Sequence, residues 1–160
     1  MTEQDHTSRA GFTTPGFMTP GPAVPGPAVP GPATGGFQPI RPGSALSVPL
    51  CLELYRAQLG SRHLDLAAQW LRERGSGFYT IGSSGHEGNA AVAAALRVSD
   101  PALLHYRSGA FYLTRACQAG GPVDGLERGL RDVLLGLVAA AAEPIAGGRH
   151  KVFGHADLAI

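Results

Sequence analysis

Residues 49–75 have the sequence PLCLELYRAQLGSRHLDLAAQWLRERG, which predicts a long helix. Apolar residues return at spacings that place them on one helical face: Leu52, Tyr55, Leu59, Leu66 and Trp70. Pro49 suits the first turn, where its missing N–H is not needed, and Gly75 suits the exit. The charged residues of this stretch are interpreted as a solvated face: Arg56, Arg62, Asp65 and Glu73.

The rest of the chain separates into helices and glycine-rich loops. Three further helices are predicted over residues 86–98, 108–118 and 131–142. The first is dominated by alanine and can therefore pack closely against a neighbour. Asp100-Pro101 and Glu143-Pro144 are expected to stop helices. A short apolar run over 102–106 is a strand or an extended segment. Loops are predicted over 75–88 and 147–160, and a loop or a frayed turn over 120–129.

Proline divides the chain into two parts. Ten of the 13 prolines precede residue 50, and Pro-Gly-Pro-Ala-Val occurs twice in full from residue 20 onward. A period of five excludes a collagen helix, and the segment has too few bulky apolar residues to form a core. We therefore expect residues 1–45 to be a disordered Pro/Gly-rich tether, with docking to a proline-recognising partner as the alternative. Residues 46–160 form the predicted domain.

Charge and cysteine content exclude several classes of protein. Thirteen basic and 12 acidic residues leave a formal charge of +1, so bulk attraction to nucleic acid or to an acidic membrane is not expected. Cys51 and Cys117 are interpreted as two buried, small apolar side chains in a reducing cytoplasm. No apolar run approaches the roughly 18 residues of a membrane helix, so a soluble, cytoplasmic protein is predicted.

The dipeptide Tyr106-Arg107 contains the residue types of an anion-binding site. Tyr106 and Arg107 lie where the extended run meets the start of the predicted helix over 108–118. A guanidinium and the free backbone N–H groups of a first helical turn can converge there on one anion. Arginine offers a planar fork of donors to phosphate oxygens, and the Tyr106 phenol adds another donor. The pair therefore suits a diphosphate, although an exposed arginine beside a core tyrosine is the simpler alternative.

Five motifs occur in a fixed order along residues 46–160: Leu54-Tyr55-Arg56, Gly77-Phe78-Tyr79-Thr80, Gly85-His86-Glu87, His105-Tyr106-Arg107 and Gly147-Gly148-Arg149-His150-Lys151. In this order they resemble the α-subunit side of the thiamine-diphosphate-dependent 2-oxoacid dehydrogenases, the E1 component of the pyruvate and branched-chain complexes. The resemblance implies the α/β thiamine-diphosphate-binding fold. The piece present would be its mostly α-helical N-terminal part, with the central sheet expected after Ile160.

The resemblance also implies roles for individual residues. Tyr106 and Arg107 would hold the diphosphate end of thiamine diphosphate. Phe78 and Tyr79 would line the mouth of the cofactor cleft, with ordinary core packing as an equal alternative. Glu87 would have a structural role at the head of a helix, because the family's cofactor-activating glutamate comes from the β-type half.

The loop over 147–160, called here the second glycine loop, lies where the resembled family has a mobile active-site loop, so the resemblance implies that role for it. His150 is the candidate catalytic residue, and with Lys151 and His155 it could steer a 2-oxo carboxylate or a lipoyl arm. These three residues do not match a zinc pattern, because Cys or acidic ligands at suitable spacing are missing. A surface loop without chemistry is the alternative.

The family's metal motif is missing from the chain. The resemblance implies Mg²⁺ held through Gly-Asp-Gly and a downstream asparagine, since Mg²⁺ needs oxygen ligands in an octahedral array. There is no Gly-Asp-Gly here, and Asn89 is the only asparagine. No metal ligand is therefore predicted, and the chain is interpreted as a truncated fragment that is inactive alone.

The implied reaction is oxidative decarboxylation of a 2-oxo acid with acyl transfer to lipoamide. Its implied partners are an E1 β-type half or subunit and a lipoyl-bearing E2. A non-catalytic helical module that docks on a dehydrogenase partner is the first alternative. A helical domain of unrelated purpose is the second.

Overall fold

The structure is a computed structural model that describes residues 38–78, 82–149 and 154–160. In this part of the chain the elements are helices α1 (Val48–Glu73), α2 (Asn89–Ala95), α3 (Gly109–Gly120) and α4 (Asp124–Leu137), followed by a short 3-10 helix (Ala156–Leu158). The same residues contain no β-strand beyond an isolated antiparallel bridge between Pro39 and Ser47. The prediction of a mostly α-helical piece is therefore confirmed. Among the described residues, no helix combines the length and apolar character needed to cross a membrane.

The predicted long helix is confirmed as α1. At its start the Ser47 hydroxyl oxygen accepts a hydrogen bond from the Leu50 N–H at 3.4 Å, and Pro49 occupies the first turn. After its last residue, Glu73, the chain leaves the helix at Gly75 with a φ of 69°, which glycine adopts without a Cβ clash. Both ends of α1 are thus set by local residues.

The core-facing side of α1 carries small residues. Its buried residues are Ala57, Ser61, Leu64 and Ala68. At Gly60 an added Cβ would stand 2.9 Å from the Leu113 Cδ1 atom, so α3 packs closely against this side. The apolar residues predicted to share one face lie on the opposite side of the helix, where all five are exposed: Leu52, Tyr55, Leu59, Leu66 and Trp70.

Helix α3 is the centre of the fold, since residues 109–116 are all buried. Helix α4 follows after a three-residue turn and runs antiparallel to α3. The prediction of a loop or a frayed turn over 120–129 is wrong for its second half, because α4 begins at Asp124. At Gly125 a Cβ would overlap the Ala116 carbonyl oxygen, and at Gly129 it would stand 2.9 Å from Leu113 Cδ2. These glycines therefore permit close helix packing instead of forming a loop.

Helix α2 is shorter than predicted. It covers only Asn89–Ala95 of the expected stretch 86–98, and the chain then turns between Arg97 and Asp100. The Arg97 guanidinium lies 2.7 Å from the Asp100 carboxylate, and its hydrogen bonds lower the pKa of that carboxyl group. The carboxylate also accepts the Arg97 backbone N–H at 2.9 Å, which stabilises the turn against further helix.

The loop after α4 is organised by the buried carboxylate of Glu143. The helix ends at Leu137, before the predicted end at residue 142. The Glu143 side chain accepts hydrogen bonds from the backbone N–H groups of Ile145, Ala146 and Gly148, at 3.2, 2.7 and 3.2 Å. Because three N–H groups donate to one carboxylate, the backbone of residues 143–148 is held in one conformation.

Three loops lie at one end of the helix bundle. Helix α1 runs in the same direction as α4, and α3 runs against both, so α1 and α4 end where α3 begins. The Phe78 N–H donates to the Leu137 carbonyl at 3.4 Å, which connects the loop after α1 to the end of α4. The segments 74–78, 101–108 and 138–149 therefore belong to the same end of the molecule.

Candidate functional site

The Tyr106-Arg107 pair lies in a turn that leads into α3. Residues 101–105 are neither helix nor strand, and the Ala102 N–H donates to the Ala159 carbonyl at 2.9 Å. The Ser108 N–H donates to the His105 carbonyl at 2.8 Å, which closes the turn. The pair is thus held immediately before the first residue of α3.

Neighbouring rings restrict these side chains. The ring centroids of His105 and Tyr106 are 3.7 Å apart, and the Arg107 guanidinium carbon lies 5.7 Å from the Tyr106 ring centre. The Arg107 backbone N–H donates to His105 Nδ1 at 3.4 Å. Tyr106 and Arg107 are both half-buried. An arginine packed near an aromatic ring loses part of its rotamer freedom before any ligand binds.

Arg107 carries an unsatisfied donor. Its Nε atom is buried and has no hydrogen-bond partner among the described residues. Ser108, the N-cap residue of α3, makes no side-chain capping hydrogen bond, so its hydroxyl does not satisfy the first-turn N–H groups. A buried donor without a hydrogen-bond partner is costly in free energy, and an acceptor from outside the described residues would offset that cost. This arrangement is the strongest candidate site in the described chain.

The other predicted site residues are only partly described. Phe78 is 66% exposed and belongs to the same end of the bundle as Arg107, beside the end of α4. Tyr79, His150 and Lys151 lie outside the described residues. His155 caps the 3-10 helix, because its Nδ1 atom accepts the Asp157 N–H at 3.2 Å.

The loop over 75–88, called the first glycine loop, is connected to α1 through a polar network at its described end. Arg62 Nη1 lies 2.6 Å from Asp65 Oδ2, and Arg62 Nε lies 3.5 Å from Glu87 Oε1. The other Glu87 oxygen accepts the Gly85 N–H at 2.8 Å. Glu87 therefore holds the loop and α1 together, which is a structural arrangement different from capping α2.

The interpretation of Asp65 as part of a solvated face is wrong. Its side chain is only 13% exposed, and it accepts hydrogen bonds from the Ser83 N–H at 2.9 Å and the Ser83 hydroxyl at 2.8 Å. The Ser61 hydroxyl completes the network with a 3.0 Å hydrogen bond to the Ser83 hydroxyl. No local pattern pairs residues that are 18 apart in sequence, so this contact had no sequence signal.

The sequence analysis did not identify Tyr112 and Arg115, two polar side chains of α3 that are buried. The Tyr112 hydroxyl donates to Asp132 at 2.9 Å and lies 3.4 Å from the Gly154 carbonyl oxygen. Burial, followed by the Asp132 charge, raises the pKa of Tyr112. The Arg115 guanidinium donates to three carbonyl groups in two separate segments. Both residues connect elements of the core and lie deeper than the candidate anion site.

A metal centre is not visible in the described parts of the chain. Within residues 38–78, 82–149 and 154–160, no three His, Cys, Asp or Glu side chains are grouped so that they could hold a metal ion. Asn89, the only asparagine, begins α2 and has a buried side-chain oxygen with no hydrogen-bond partner in that part of the structure.

Cys117 is expected to react slowly. Burial, with a smaller contribution from the Glu53 charge, raises the pKa of this thiol to about 11. Since the thiolate is the nucleophile, alkylation by iodoacetamide at pH 8 should be about 100-fold slower in the native chain than in urea, measured in a Cys51→Ser background. The native rate should rise with pH up to about 11. Native and unfolded rates within about threefold of each other would contradict the burial argument.

Comparisons with known proteins do not assign this chain to a family. No family model, no curated protein and no solved structure matches this chain.

Proposed function

We propose that this chain is the N-terminal part of a 2-oxoacid dehydrogenase E1 component and that Tyr106 and Arg107 bind the diphosphate of thiamine diphosphate. One observation carries the proposal: the Arg107 Nε donor is buried with no hydrogen-bond partner among residues 38–78, 82–149 and 154–160, and the adjacent N-terminus of α3 is not capped by the Ser108 side chain. Cationic side chains and helix N–H groups are the donors that proteins use for diphosphates.

The residues present fit an anion better than a complete cofactor. The guanidinium and first-turn N–H groups can bind and orient the diphosphate, and Tyr106 can limit its approach from one side. The oxygen ligands for Mg²⁺ are expected from outside these 160 residues, because Gly-Asp-Gly is absent. When bound, thiamine diphosphate supplies the carbon nucleophile for decarboxylating a 2-oxo acid.

The proposed partners would supply the groups that this chain lacks for the reaction. A β-type half would contribute the group that activates the cofactor, and a lipoyl-bearing E2 would accept the acyl group. His150 remains the predicted catalytic residue at the entrance. Glu87 would act only by fastening the first glycine loop to Arg62, through the 3.5 Å contact described above.

The test is calorimetric titration of the purified chain with pyrophosphate and with thiamine diphosphate, each with Mg²⁺. We expect weak binding of similar affinity for both ligands, since this chain would contact only the diphosphate end. Arg107→Ala should weaken binding by about 1.5–3 kcal/mol, which is roughly 10- to 100-fold. Arg56→Ala removes an exposed arginine of α1 and is the matched control; its affinity should stay within about twofold of the wild type.

Two results would count against the proposal. Unchanged affinity in Arg107→Ala would remove the anion site. Much tighter binding of thiamine diphosphate than of pyrophosphate would show that the chain recognises the whole cofactor, contrary to the expected incomplete site. The interaction-module alternative has one observation in its favour, which is the exposed apolar face of α1. It predicts no Arg107-dependent binding of either ligand.

A further inference from the structure

Residues 155–160 form a turn that is closed by its own hydrogen bonds. The His155 N–H donates to the Ile160 carbonyl oxygen at 3.0 Å, and the Ile160 N–H donates back to the His155 carbonyl oxygen at 3.3 Å. Inside the turn, the N–H groups of Leu158 and Ala159 donate to the carbonyl oxygens of His155 and Ala156, each at 3.0 Å. We call residues 155–160 the 155–160 turn. Because its two ends are joined to each other, the turn has a defined backbone that can hold another segment.

The 155–160 turn is attached to the segment that leads into the candidate anion site. The Ala159 carbonyl oxygen accepts the Ala102 N–H at 2.9 Å. The Leu158 carbonyl oxygen accepts a hydrogen bond from Arg115 Nη1 at 3.0 Å, and the same nitrogen donates to the carbonyl oxygens of residues 98 and 100. Arg115 and Leu158 both have 0% of their surface exposed. Two hydrogen-bonded contacts therefore connect residues 158–159 to residues 98–102.

Only a short segment separates these contacts from α3. The Ser108 N–H donates to the His105 carbonyl oxygen at 2.8 Å, which is the contact on the α3 side. The Leu103 side chain is fully exposed, whereas Leu104 and Ile160 pack against the same core cluster. The segment 103–107 is thus anchored by α3 at one end and by the 155–160 turn at the other.

We propose that the 155–160 turn positions Tyr106 and Arg107 for an anion, through the Ala159 carbonyl group and the buried Arg115. While the turn is attached, Ala102 is held and the segment 103–107 is fixed at both ends. An anion at Arg107 would therefore bind more tightly to the chain with the turn attached, and by linkage the anion would stabilise the attachment in return. Arg115 acts through carbonyl groups, so it is a positioning residue and not a ligand of the anion. The inference rests on the proposed function for its ligand, a diphosphate.

Ala159 allows the attachment to be changed without removing a hydrogen-bonding group. Its φ of 52° lies in the left-handed region, which glycine adopts freely and a β-branched residue rarely adopts. Ala159→Gly therefore relieves strain in the attached turn and Ala159→Val adds strain, while both variants keep the backbone N–H and carbonyl groups of this residue. Ala139 has a similar φ of 53° but follows α4. Ala139→Val is thus a matched control that adds the same kind of strain outside the turn.

The first measurement is amide hydrogen exchange of the full chain without ligand. Ala159→Val should speed exchange of the Ala102 and Ser108 amides by about 5- to 30-fold, the population ratio that corresponds to left-handed strain at one residue. Ser108 is the decisive amide, because its acceptor, the His105 carbonyl oxygen, lies outside the 155–160 turn. Ala159→Gly should slow exchange of both amides. Ala139→Val should leave both rates within about twofold of the wild type.

The second measurement repeats the exchange with pyrophosphate and Mg²⁺, at a pyrophosphate concentration about ten times its dissociation constant. The Leu158 and Ala159 amides should then exchange about tenfold more slowly, since a ligand that binds only the attached form suppresses opening by the factor 1 + [L]/Kd. Both amides make their hydrogen bonds inside the turn. An anion bound at Arg107 without coupling would leave their exchange rates unchanged. Arg107→Ala should lose this protection at the same pyrophosphate concentration.

Two outcomes would overturn the positioning role. One is Ser108 exchange that is the same in Ala159→Val and in the wild type. The other is pyrophosphate binding that depends on Arg107 but leaves the exchange of Leu158 and Ala159 unchanged, a result that remains compatible with the proposed function. Equal pyrophosphate affinity of the wild type and Arg107→Ala would instead contradict the proposed function, and Ser108 exchange in the free chain would then decide the positioning role alone. An unfolded Ala159→Val chain would leave Ala159→Gly as the deciding variant, in which unchanged Ser108 exchange would overturn the role.

Discussion

Replacing Arg115 by alanine is expected to lower the free energy of unfolding by about 3–5 kcal/mol. Arg115 has 0% of its surface exposed in the centre of α3. Its Nη1 atom donates to the carbonyl groups of Val98, Asp100 and Leu158 at 2.8, 2.9 and 3.0 Å. The variant would therefore leave three acceptors unpaired and create a cavity at the same time.

Other features of the Arg115 side chain destabilise the folded state. Its Nε and Nη2 atoms are buried without hydrogen-bond partners in the described residues, and burial lowers the pKa of the Arg115 guanidinium. The Phe111 ring, whose centre is 5.1 Å from the guanidinium carbon, offsets part of this cost. Arg115→Met keeps most of the volume and removes the buried charge, so it should lose only about 1–2 kcal/mol.

Urea unfolding monitored by circular dichroism measures the free energy of unfolding of Arg115→Ala and Arg115→Met. Arg56→Ala is the control at an exposed arginine. Hydrogen exchange should show faster exchange in residues 155–160 of Arg115→Ala, since the bond to Leu158 holds that segment on α3. A loss below about 1 kcal/mol in Arg115→Ala would show that the three carbonyl bonds contribute little.

Gly125→Ala is expected to destabilise the chain by about 3 kcal/mol, although alanine is a better helix former than glycine. The added Cβ would overlap the carbonyl oxygen of Ala116. The obstacle is backbone in a helix whose residues 109–116 are buried, so no side chain can rotate away. Helices α3 and α4 would have to separate, which would open the core around Leu113.

Gly136→Ala is the control on the same helix. There the nearest heavy atom to an added Cβ is Glu143 Cγ at 3.8 Å, an ordinary contact distance. The free energy of unfolding should rise by about 0.5–1 kcal/mol from helix propensity alone. Thermal unfolding of both variants distinguishes an effect of helix packing from an effect of helix propensity. Equal shifts of the unfolding temperature, with the same sign in Gly125→Ala and Gly136→Ala, would contradict the packing argument.

The candidate site was only partly accessible to sequence reasoning. The position of Tyr106 and Arg107 before a helix could be predicted, because an extended run, a turn and a helix start are all local features. The unsatisfied Arg107 Nε could not, since it depends on which groups the fold brings near it. The Asp65 contact with Ser83 was missed for the same reason, as it joins residues 18 apart.

The sequence by itself determined the helical class, the start and end of α1 and the start of α3. Proline, glycine and capping residues act within a turn or two, so their effects can be recognised without knowing the fold. Only the tertiary structure decided which side of α1 is buried and why α4 contains Gly125 and Gly129. Spacing can identify an apolar face, but burial depends on the shape of the neighbouring helix, and here close approach selected the small residues of α1 over its large ones.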